Sequence, residues 1–217
     1  MNSLLREDRK GRTALLTKNL TPGKRVYNEE LILRNGVEYR TWDPFRSKLA
    51  AAILKGLRDD LVGEGKKVLY LGVSTGTTAS HVSDLVGPTG LVVGVEFAPR
   101  VAREFVEHVA RERKNVIPFV ADARDPSKYS VARMDVVYCD IAQPDQTEIA
   151  LANCEKLLKR GGTLLLVVKA RSIDVLKDPR HVFAEEKLKL EKAGFDVHGV
   201  IELSPFEKDH ALIFATN

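Results

Sequence analysis

The 217-residue sequence has little cysteine and no long apolar runs. Its two cysteines, Cys139 and Cys154, are too few for a disulfide framework or a cysteine-based metal cluster. We therefore expect two reduced thiols and no metal site. No run reaches the roughly 18 apolar residues that indicate a membrane-spanning helix. The N-terminal residues are polar and charged and lack the apolar centre of a secretion signal, which predicts a cytoplasmic protein.

Neither sign of charge dominates the sequence. The 34 Lys and Arg residues against 30 Asp and Glu residues give a net charge of +4, which permits a nucleic-acid partner without requiring one. Several basic residues crowd the N-terminal segment, where they form either a solvated face or a contact surface. They are Arg6, Arg9, Lys10, Arg12, Lys18, Lys24 and Arg25. The length suffices for one complete core and a small additional unit, but not for two large domains.

The segment before residue 43 has the character of β-strands. Two runs, 30–33 and 37–41, flank Asn35-Gly36, a pair that accepts the positive φ angles of a two-residue hairpin turn. Residues 1–42 are therefore predicted to form a small N-terminal β domain, and residues 43–217 the main domain.

A helix is expected at the start of the main domain. Asp43 is a good N-cap residue and Pro44 suits the first helical position. An apolar stripe follows at helical spacing, made of Phe45, Leu49, Ala52 and Ile53. Lys48 lies on or beside this stripe, so its ammonium group either reaches out to solvent or has an acidic partner.

From residue 67 onward, apolar strands alternate with helical segments. The predicted strands are 68–71, 91–95, 116–120, 134–139, 163–168, 197–203 and 211–215, and the predicted helices are 77–85, 100–113, 146–159 (closed by Gly161-Gly162) and 184–192. The interior strands are apolar throughout, as in a parallel sheet covered on both faces. Residues 204–210 are too few for a crossover helix, so the last two strands should be antiparallel. The expected fold class is α/β and Rossmann-like, with a mostly parallel seven-stranded sheet and an antiparallel last strand.

A glycine loop follows the first strand of this pattern. Gly72 and Gly76 lie where the strand turns into a helix, and glycine there lets a ligand approach the backbone. The spacing Gly-x-x-x-Gly differs from the Gly-x-Gly-x-x-Gly of dinucleotide-binding folds, which argues against a nicotinamide cofactor. Taken alone, the two glycines are equally consistent with a plain tight turn.

Acidic residues follow the next three strands. Glu96 is suitably placed to accept hydrogen bonds from the hydroxyls of a ribose, and Phe97 could pack on an adenine ring. Asp122, followed by Ala123, could accept from the adenine amino group, and Asp140 ends the fourth strand. Because ligands bind at the carboxyl ends of parallel strands, these positions together predict a nucleoside-containing cofactor.

Two further residues are candidates for chemistry at the same edge. Lys169 ends a buried strand and should therefore lie near Asp140. Desolvation lowers the pKa of a lysine, which lets it act as a base, although an ordinary charged strand end is the alternative. His210 opens the last strand, where an ordinary polar loop residue is equally consistent with the sequence.

The order of elements over residues 45–217 resembles class I methyltransferases, whose cofactor is S-adenosylmethionine. Lys48, Asp140, Lys169 and His210 together resemble the Lys-Asp-Lys-His tetrad of fibrillarins, the 2′-O-ribose methyltransferases of box C/D guide ribonucleoproteins. The stretches WDPFRSKLA (42–50), TGTT (75–78), DIAQPDQ (140–146) and KARSID (169–174) strengthen this resemblance, which extends from about residue 20 to the end.

The resemblance implies both a cofactor site and catalytic roles. The implied cofactor contacts are Thr77, Thr78, Glu96, Phe97, Asp122, Ala123, Asp140 and Gln143. In this interpretation Lys169 takes or shares the proton of the ribose hydroxyl. Asp140 orients Lys169 and faces the methyl donor, while Lys48 and His210 align the ribose and a nearby phosphate.

The resemblance also implies how a target is selected, since no RNA-reading module such as an exposed aromatic pair or a zinc knuckle is evident. In fibrillarins a guide RNA pairs with the target RNA, a Nop-type scaffold protein binds the enzyme, and a kink-turn-binding protein joins them. The chain lacks the Gly/Arg-rich N-terminal extension of eukaryotic members, so an archaeal-type member acting on rRNA and tRNA is expected. The alternatives are a stand-alone methyltransferase for a small molecule or protein, a non-catalytic RNA-binding scaffold and, less favoured, a nicotinamide dehydrogenase.

Overall fold

The computed structural model describes residues 3–9, 11–129 and 131–217. Lys10, one of the basic residues noted above, lies outside the described residues, as do residues 1, 2 and 130. The first four strands are β1 (Leu4–Asp8), β2 (Thr13–Lys18), β3 (Leu31–Arg34) and β4 (Val37–Trp42), which form an antiparallel sheet in the order β1-β2-β4-β3. The predicted hairpin is confirmed, since Asn35 and Gly36 have φ angles of 50° and 77°.

The second sheet has seven strands, and it confirms the predicted fold class. The strands are β5 (Lys67–Leu71), β6 (Leu91–Glu96), β7 (Val116–Val120), β8 (Met134–Cys139), β9 (Leu158–Lys169), β10 (Asp196–Glu202) and β11 (His210–Thr216). Their order is β10-β11-β9-β8-β5-β6-β7. Strand β11 is antiparallel to both of its neighbours, whereas the pairs from β9 to β7 are parallel.

Helices cover both faces of the seven-stranded sheet. They are α1 (Lys48–Leu54), α2 (Thr77–Val86), α3 (Pro99–Phe105, continued by a π-helical turn at Val106–Ala110), α4 (Gln146–Leu157), α5 (Ala170–Ile173) and α6 (Pro179–Lys192), with a 3₁₀ turn at Asp59–Val62. Helices α1 to α3 share one apolar core with the N-terminal sheet, and α4 to α6 share the core on the opposite face. Cys139 and Cys154 are free and buried in this second core. Among the described residues, we find no helix with the length and apolarity needed to cross a membrane.

The first helix begins later than predicted. Its N-cap is Ser47, whose Oγ accepts a hydrogen bond from the Ala50 amide at 3.3 Å, so Lys48 is the first helical residue. Asp43 instead closes a turn, because its Oδ1 accepts from the Phe45 amide at 2.9 Å. Phe45 is 59% exposed and does not join the apolar stripe of the helix.

Three other predicted helix boundaries were wrong. The helix predicted over 100–113 ends at Ala110. Helix α4 ends at Leu157, because Leu158 takes up an extended conformation, is fully buried and pairs with Met134. The predicted cap Gly161-Gly162 therefore lies inside β9, where the pairing with β8 shifts register. Helix α6 starts earlier than predicted, at Pro179, because the Asp178 side chain caps it by accepting from the Arg180 amide at 2.9 Å.

A buried ion-pair network joins the N-terminal sheet to α2. The guanidinium of Arg40 on β4 is fully buried and lies 2.7 Å from Glu29 Oε1 and 2.9 Å from Asp84 Oδ2 of α2. Asp84 also pairs with Arg113. On the same helix, burial and then the two nearby guanidinium groups hold the pKa of His81 well below its ordinary value. The network fixes the small sheet against the helix that follows the glycine loop.

This network should make Arg40 important for stability. Arg40→Met keeps much of the side-chain volume but leaves the buried Glu29 without its cation and Asp84 with Arg113 alone, so we expect it to lower the free energy of unfolding by about 3–5 kcal/mol. Arg34→Met is the matched control, because Arg34 on β3 makes a partly exposed pair with Glu7 on β1, the other outer strand of the same sheet, and it should cost less than about 1 kcal/mol. Urea unfolding of both variants measures the difference. Equal losses would contradict a dominant role for the buried network.

Candidate active site

The glycine loop between β5 and α2 requires both of its glycines. Gly72 has a φ angle of 76°, and a Cβ atom there would lie 2.9 Å from the carbonyl oxygen of Asp140. Gly76 has a φ angle of 93°, and a Cβ atom would lie 2.5 Å from the Phe105 ring. The loop therefore lies unusually close to the end of β8 on one side and to α3 on the other.

The carboxylate of Glu96 holds the loop in place. Its Oε2 accepts a hydrogen bond from the Ser74 amide at 2.9 Å, and its Oε1 accepts from the Ala98 amide at 3.0 Å. Each oxygen keeps a second lone pair for a ligand hydroxyl. The next residue, Phe97, has a side chain that is 70% exposed at the rim of the site, as an aromatic residue that packs on a ligand ring would be.

A cavity of about 290 Å³ opens at the carboxyl ends of β5 to β8. Seven of the predicted cofactor residues line it: Gly72, Glu96, Phe97, Asp122, Ala123, Asp140 and Gln143. The other three, Gly76, Thr77 and Thr78, are not part of this lining. Thr78 is buried and its hydroxyl donates to Ser47 Oγ at 2.9 Å, so it connects α2 to the N-cap of α1.

Arg124 is a cavity residue that the sequence reasoning missed. Its guanidinium donates to both carboxylate oxygens of Asp145, at 2.9 and 3.0 Å, and to Gln143 Oε1 at 3.1 Å. The backbone amide of Arg124 donates to Asp122 Oδ1 at 2.9 Å. Arg124 therefore links the loops after β7 and β8 across the cavity. The available signal was its position directly after the predicted Asp122-Ala123 pair.

Two lysines meet the Asp140 carboxylate. Lys169, at the end of β9, places its Nζ 2.8 Å from Asp140 Oδ1 and donates to the Asp140 carbonyl oxygen at 2.9 Å. Lys48, at the start of α1, has its Nζ 3.4 Å from the same Oδ1. The side chains are 15%, 11% and 18% exposed for Lys169, Asp140 and Lys48. Lys48 thus has an acidic partner, which was one of the two alternatives left open by the sequence.

His210 lies beside this group, and Glu207 lies between it and Lys48. His210 pairs with Lys169 across the β11–β9 register, and its Nδ1 is 2.7 Å from the Lys208 carbonyl oxygen. Glu207 Oε2 lies 3.7 Å from His210 Nδ1, and Glu207 Oε1 lies 4.0 Å from Lys48 Nζ. The structure therefore brings together all four predicted catalytic residues. It adds Glu207, which the sequence analysis passed over as part of a short connection.

The cavity and its surroundings fit a nucleoside-containing cofactor. Gly72 leaves space that a Cβ atom would fill. The cavity volume of about 290 Å³ is close to the lower limit of the ~300–1,000 Å³ range of small-molecule sites. Carboxylates stand at the end of β6 and just beyond β7 and β8, next to an exposed aromatic ring. With the antiparallel β11 inserted beside β9, these features define the class I fold of S-adenosylmethionine-dependent methyltransferases.

Comparison with known proteins identifies the family. The family model described as Fibrillarin matches residues 2–217. A fibrillarin-like rRNA/tRNA 2′-O-methyltransferase of Sulfolobus acidocaldarius is 54% identical over 205 residues, covering 94% of this chain and 88% of that protein. The chain belongs to the fibrillarin family.

Two solved structures agree with this assignment. Aeropyrum pernix fibrillarin, in complex with natively bound S-adenosyl-L-methionine, has a TM-score of 0.88 and 46% identity, with 99% of this chain and 98% of that chain covered. A chain from the crystal structure of a fibrillarin/Nop5p complex has a TM-score of 0.84 and 39% identity, with coverages of 100% and 98%.

Proposed function

We propose that this chain transfers a methyl group from S-adenosylmethionine to the ribose 2′-hydroxyl of rRNA and tRNA, as the catalytic subunit of a guide-RNA-directed box C/D ribonucleoprotein. The observation that carries the proposal is the convergence of Lys48 and Lys169 on Asp140 at the rim of a cofactor-sized cavity. We further propose residues 43–217 as the methyltransferase domain and residues 1–42 as a small domain that supports it.

The cavity residues would hold the cofactor by its nucleoside. Glu96 would accept hydrogen bonds from the ribose hydroxyls, and Asp122 from the adenine amino group. Phe97 would pack on the adenine ring, while Ala123 and Gln143 would complete the adenine side of the cavity. Gly72 would allow close approach to the backbone. Gly76, Thr77 and Thr78 begin α2, and we assign them to the shape of the loop, because they lie outside the cavity lining.

When bound, the cofactor supplies an electrophilic methyl group on a sulfonium. The chain's own contribution is to position the ribose and to receive a proton, because a hydroxyl is a poor nucleophile until it loses one. We assign proton acceptance to Lys169, whose ammonium group at Asp140 must first release one proton to solvent before it can take the proton of the hydroxyl. Asp140 orients Lys169 through its Oδ1 and its carbonyl oxygen, and Lys48 and His210 align the ribose and an adjacent phosphate.

Target selection would come from partners. Basic side chains can hold a phosphate backbone, but they do not read sequence, so a guide RNA paired with the target would supply specificity. The fibrillarin/Nop5p complex supports a Nop-type scaffold as the protein partner of this chain. A kink-turn-binding protein and the guide RNA complete the proposed particle. A cytoplasmic location is part of the proposal, since the rRNA and tRNA substrates are intracellular.

The proposed function predicts that activity depends on the complete particle. We expect label from S-adenosylmethionine to reach one guide-specified nucleotide only when scaffold protein, kink-turn protein and guide RNA are all added, because the chain alone cannot select a sequence. Liquid scintillation followed by mapping of the modified nucleotide measures this. Labelling of RNA by the chain alone would contradict guide dependence. Labelling of a small molecule or protein instead would favour a stand-alone methyltransferase.

The proposed base predicts a selective loss at Lys169. In the assembled particle, Lys169→Ala should lower kcat by about 10²–10⁴-fold, the usual contribution of a positioned proton acceptor. The Kd for S-adenosylmethionine, measured by titration calorimetry, should change little. Lys159→Ala is the matched control, because Lys159 lies near the opposite end of the same strand and pairs with Asp135. Wild-type turnover by Lys169→Ala would refute the assignment.

A further inference from the structure

Glu207 is fixed in place by the loop that joins β10 to β11. The amides of Phe206 and Glu207 donate to the Leu203 carbonyl oxygen at 3.0 and 3.2 Å, which closes a tight turn. The Phe206 ring then packs edge-to-face on Phe45, with centroids 5.2 Å apart. Because Phe45 belongs to the turn that leads into α1, the loop and the start of α1 are held together. The backbone of Glu207 is therefore held beside the start of α1, with its carboxylate 4.0 Å from Lys48 Nζ.

The charges at the transfer site show why a second carboxylate is useful there. Lys48 and Lys169 both approach one oxygen of Asp140, at 3.4 and 2.8 Å, and all three side chains are less than one-fifth exposed. Two cations that share a single anion repel each other, and the repulsion grows as water is excluded. Lys169 has a second acceptor in the Asp140 carbonyl oxygen. For Lys48, the second anionic group is Glu207, at 4.0 Å.

Glu207 also faces the imidazole of His210. The Lys208 carbonyl oxygen can only accept a hydrogen bond, so the Nδ1 atom that lies 2.7 Å from it must carry the hydrogen. Glu207 Oε2 lies 3.7 Å from the same nitrogen and reinforces that arrangement. In the neutral ring the other nitrogen, Nε2, is then left as an acceptor. The carboxylate thus acts on two predicted catalytic side chains that come from different ends of the chain.

We propose that Glu207 is a positioning residue of the methyl-transfer site, which holds the Lys48 ammonium between two carboxylates and keeps His210 with Nδ1 protonated. The inference rests on the proposed function and deepens it. Glu207 acts through Lys48 and His210, and it takes no proton from the substrate. Its removal should therefore impair the alignment of the acceptor ribose while leaving the cofactor cavity intact, since Glu207 is not part of the cavity lining.

Glu207→Gln in the assembled particle tests this proposal. We expect kcat to fall by roughly 10- to 100-fold, because a misplacement of about 1 Å at a reacting group can cost about 10²-fold. The Kd for S-adenosylmethionine and the Tm should stay at their wild-type values, which separates positioning from a merely structural role. Glu207→Asp keeps the charge and should recover part of the loss. Glu202→Gln is the matched control, because Glu202 precedes the same loop and pairs with Arg180 at the surface, and it should keep full turnover.

A double-variant cycle shows whether Glu207 works through Lys48. The kcat of the double variant Lys48→Met, Glu207→Gln should be close to that of Lys48→Met alone, because residues that act as a unit have strongly non-additive effects. Any further decrease should be small and should reflect the contact of Glu207 with His210. A Glu207→Gln variant with unchanged kcat would overturn the proposal. So would a loss of kcat that is accompanied by a lower Tm and weaker cofactor binding. In either case the proposed function would stand, provided that the particle with the unmodified chain is active. An inactive wild-type particle would overturn both.

Discussion

The shared carboxylate of Asp140 is the contact on which the site depends. Its Oδ1 meets ammonium groups from two separate elements, Lys48 at the start of α1 and Lys169 at the end of β9. Its backbone carbonyl oxygen lies where a Cβ atom on Gly72 would clash. One residue at the end of β8 therefore fixes the glycine loop on one side and the two lysines on the other. Cofactor cavity and transfer site are adjacent for that reason.

The N-terminal sheet is connected to this site through buried polar contacts. Arg40 and Asp84 bind the sheet to α2, and Thr78 at the start of α2 bonds the N-cap Ser47 of α1. A continuous path of buried polar contacts thus runs from the small sheet through α2 to the helix that carries Lys48. Buried charges are costly to desolvate and are tolerated only when fully paired. Here the buried charges of Arg40, Glu29 and Asp84 are paired, and the pairing fixes the small sheet on α2.

Much of the fold and site could be predicted from sequence because strand ends are visible in it. Glu96, Asp122 and Asp140 each follow an apolar run, and parallel topology brings such positions to one edge. Glu207 could not be found this way, since its partners Lys48 and His210 are assembled by a loop with no periodic pattern. The start of α1 was misplaced because Asp43 caps a turn as well as it caps a helix. The end of α4 was misplaced because burial of Leu158 in the sheet overrode the glycine signal.

The most direct test of the central claim removes the 2′-hydroxyl of a single target nucleotide. In the complete particle, a target RNA with a 2′-deoxyribose only at the guide-specified nucleotide is compared with the all-ribose target, using labelled S-adenosylmethionine. Transfer to the ribose 2′-oxygen predicts full labelling of the all-ribose RNA and no labelling of the 2′-deoxy RNA, with equal binding of the two RNAs. Labelling that survives the 2′-deoxy replacement would mean that a base or another group accepts the methyl, and it would contradict the account.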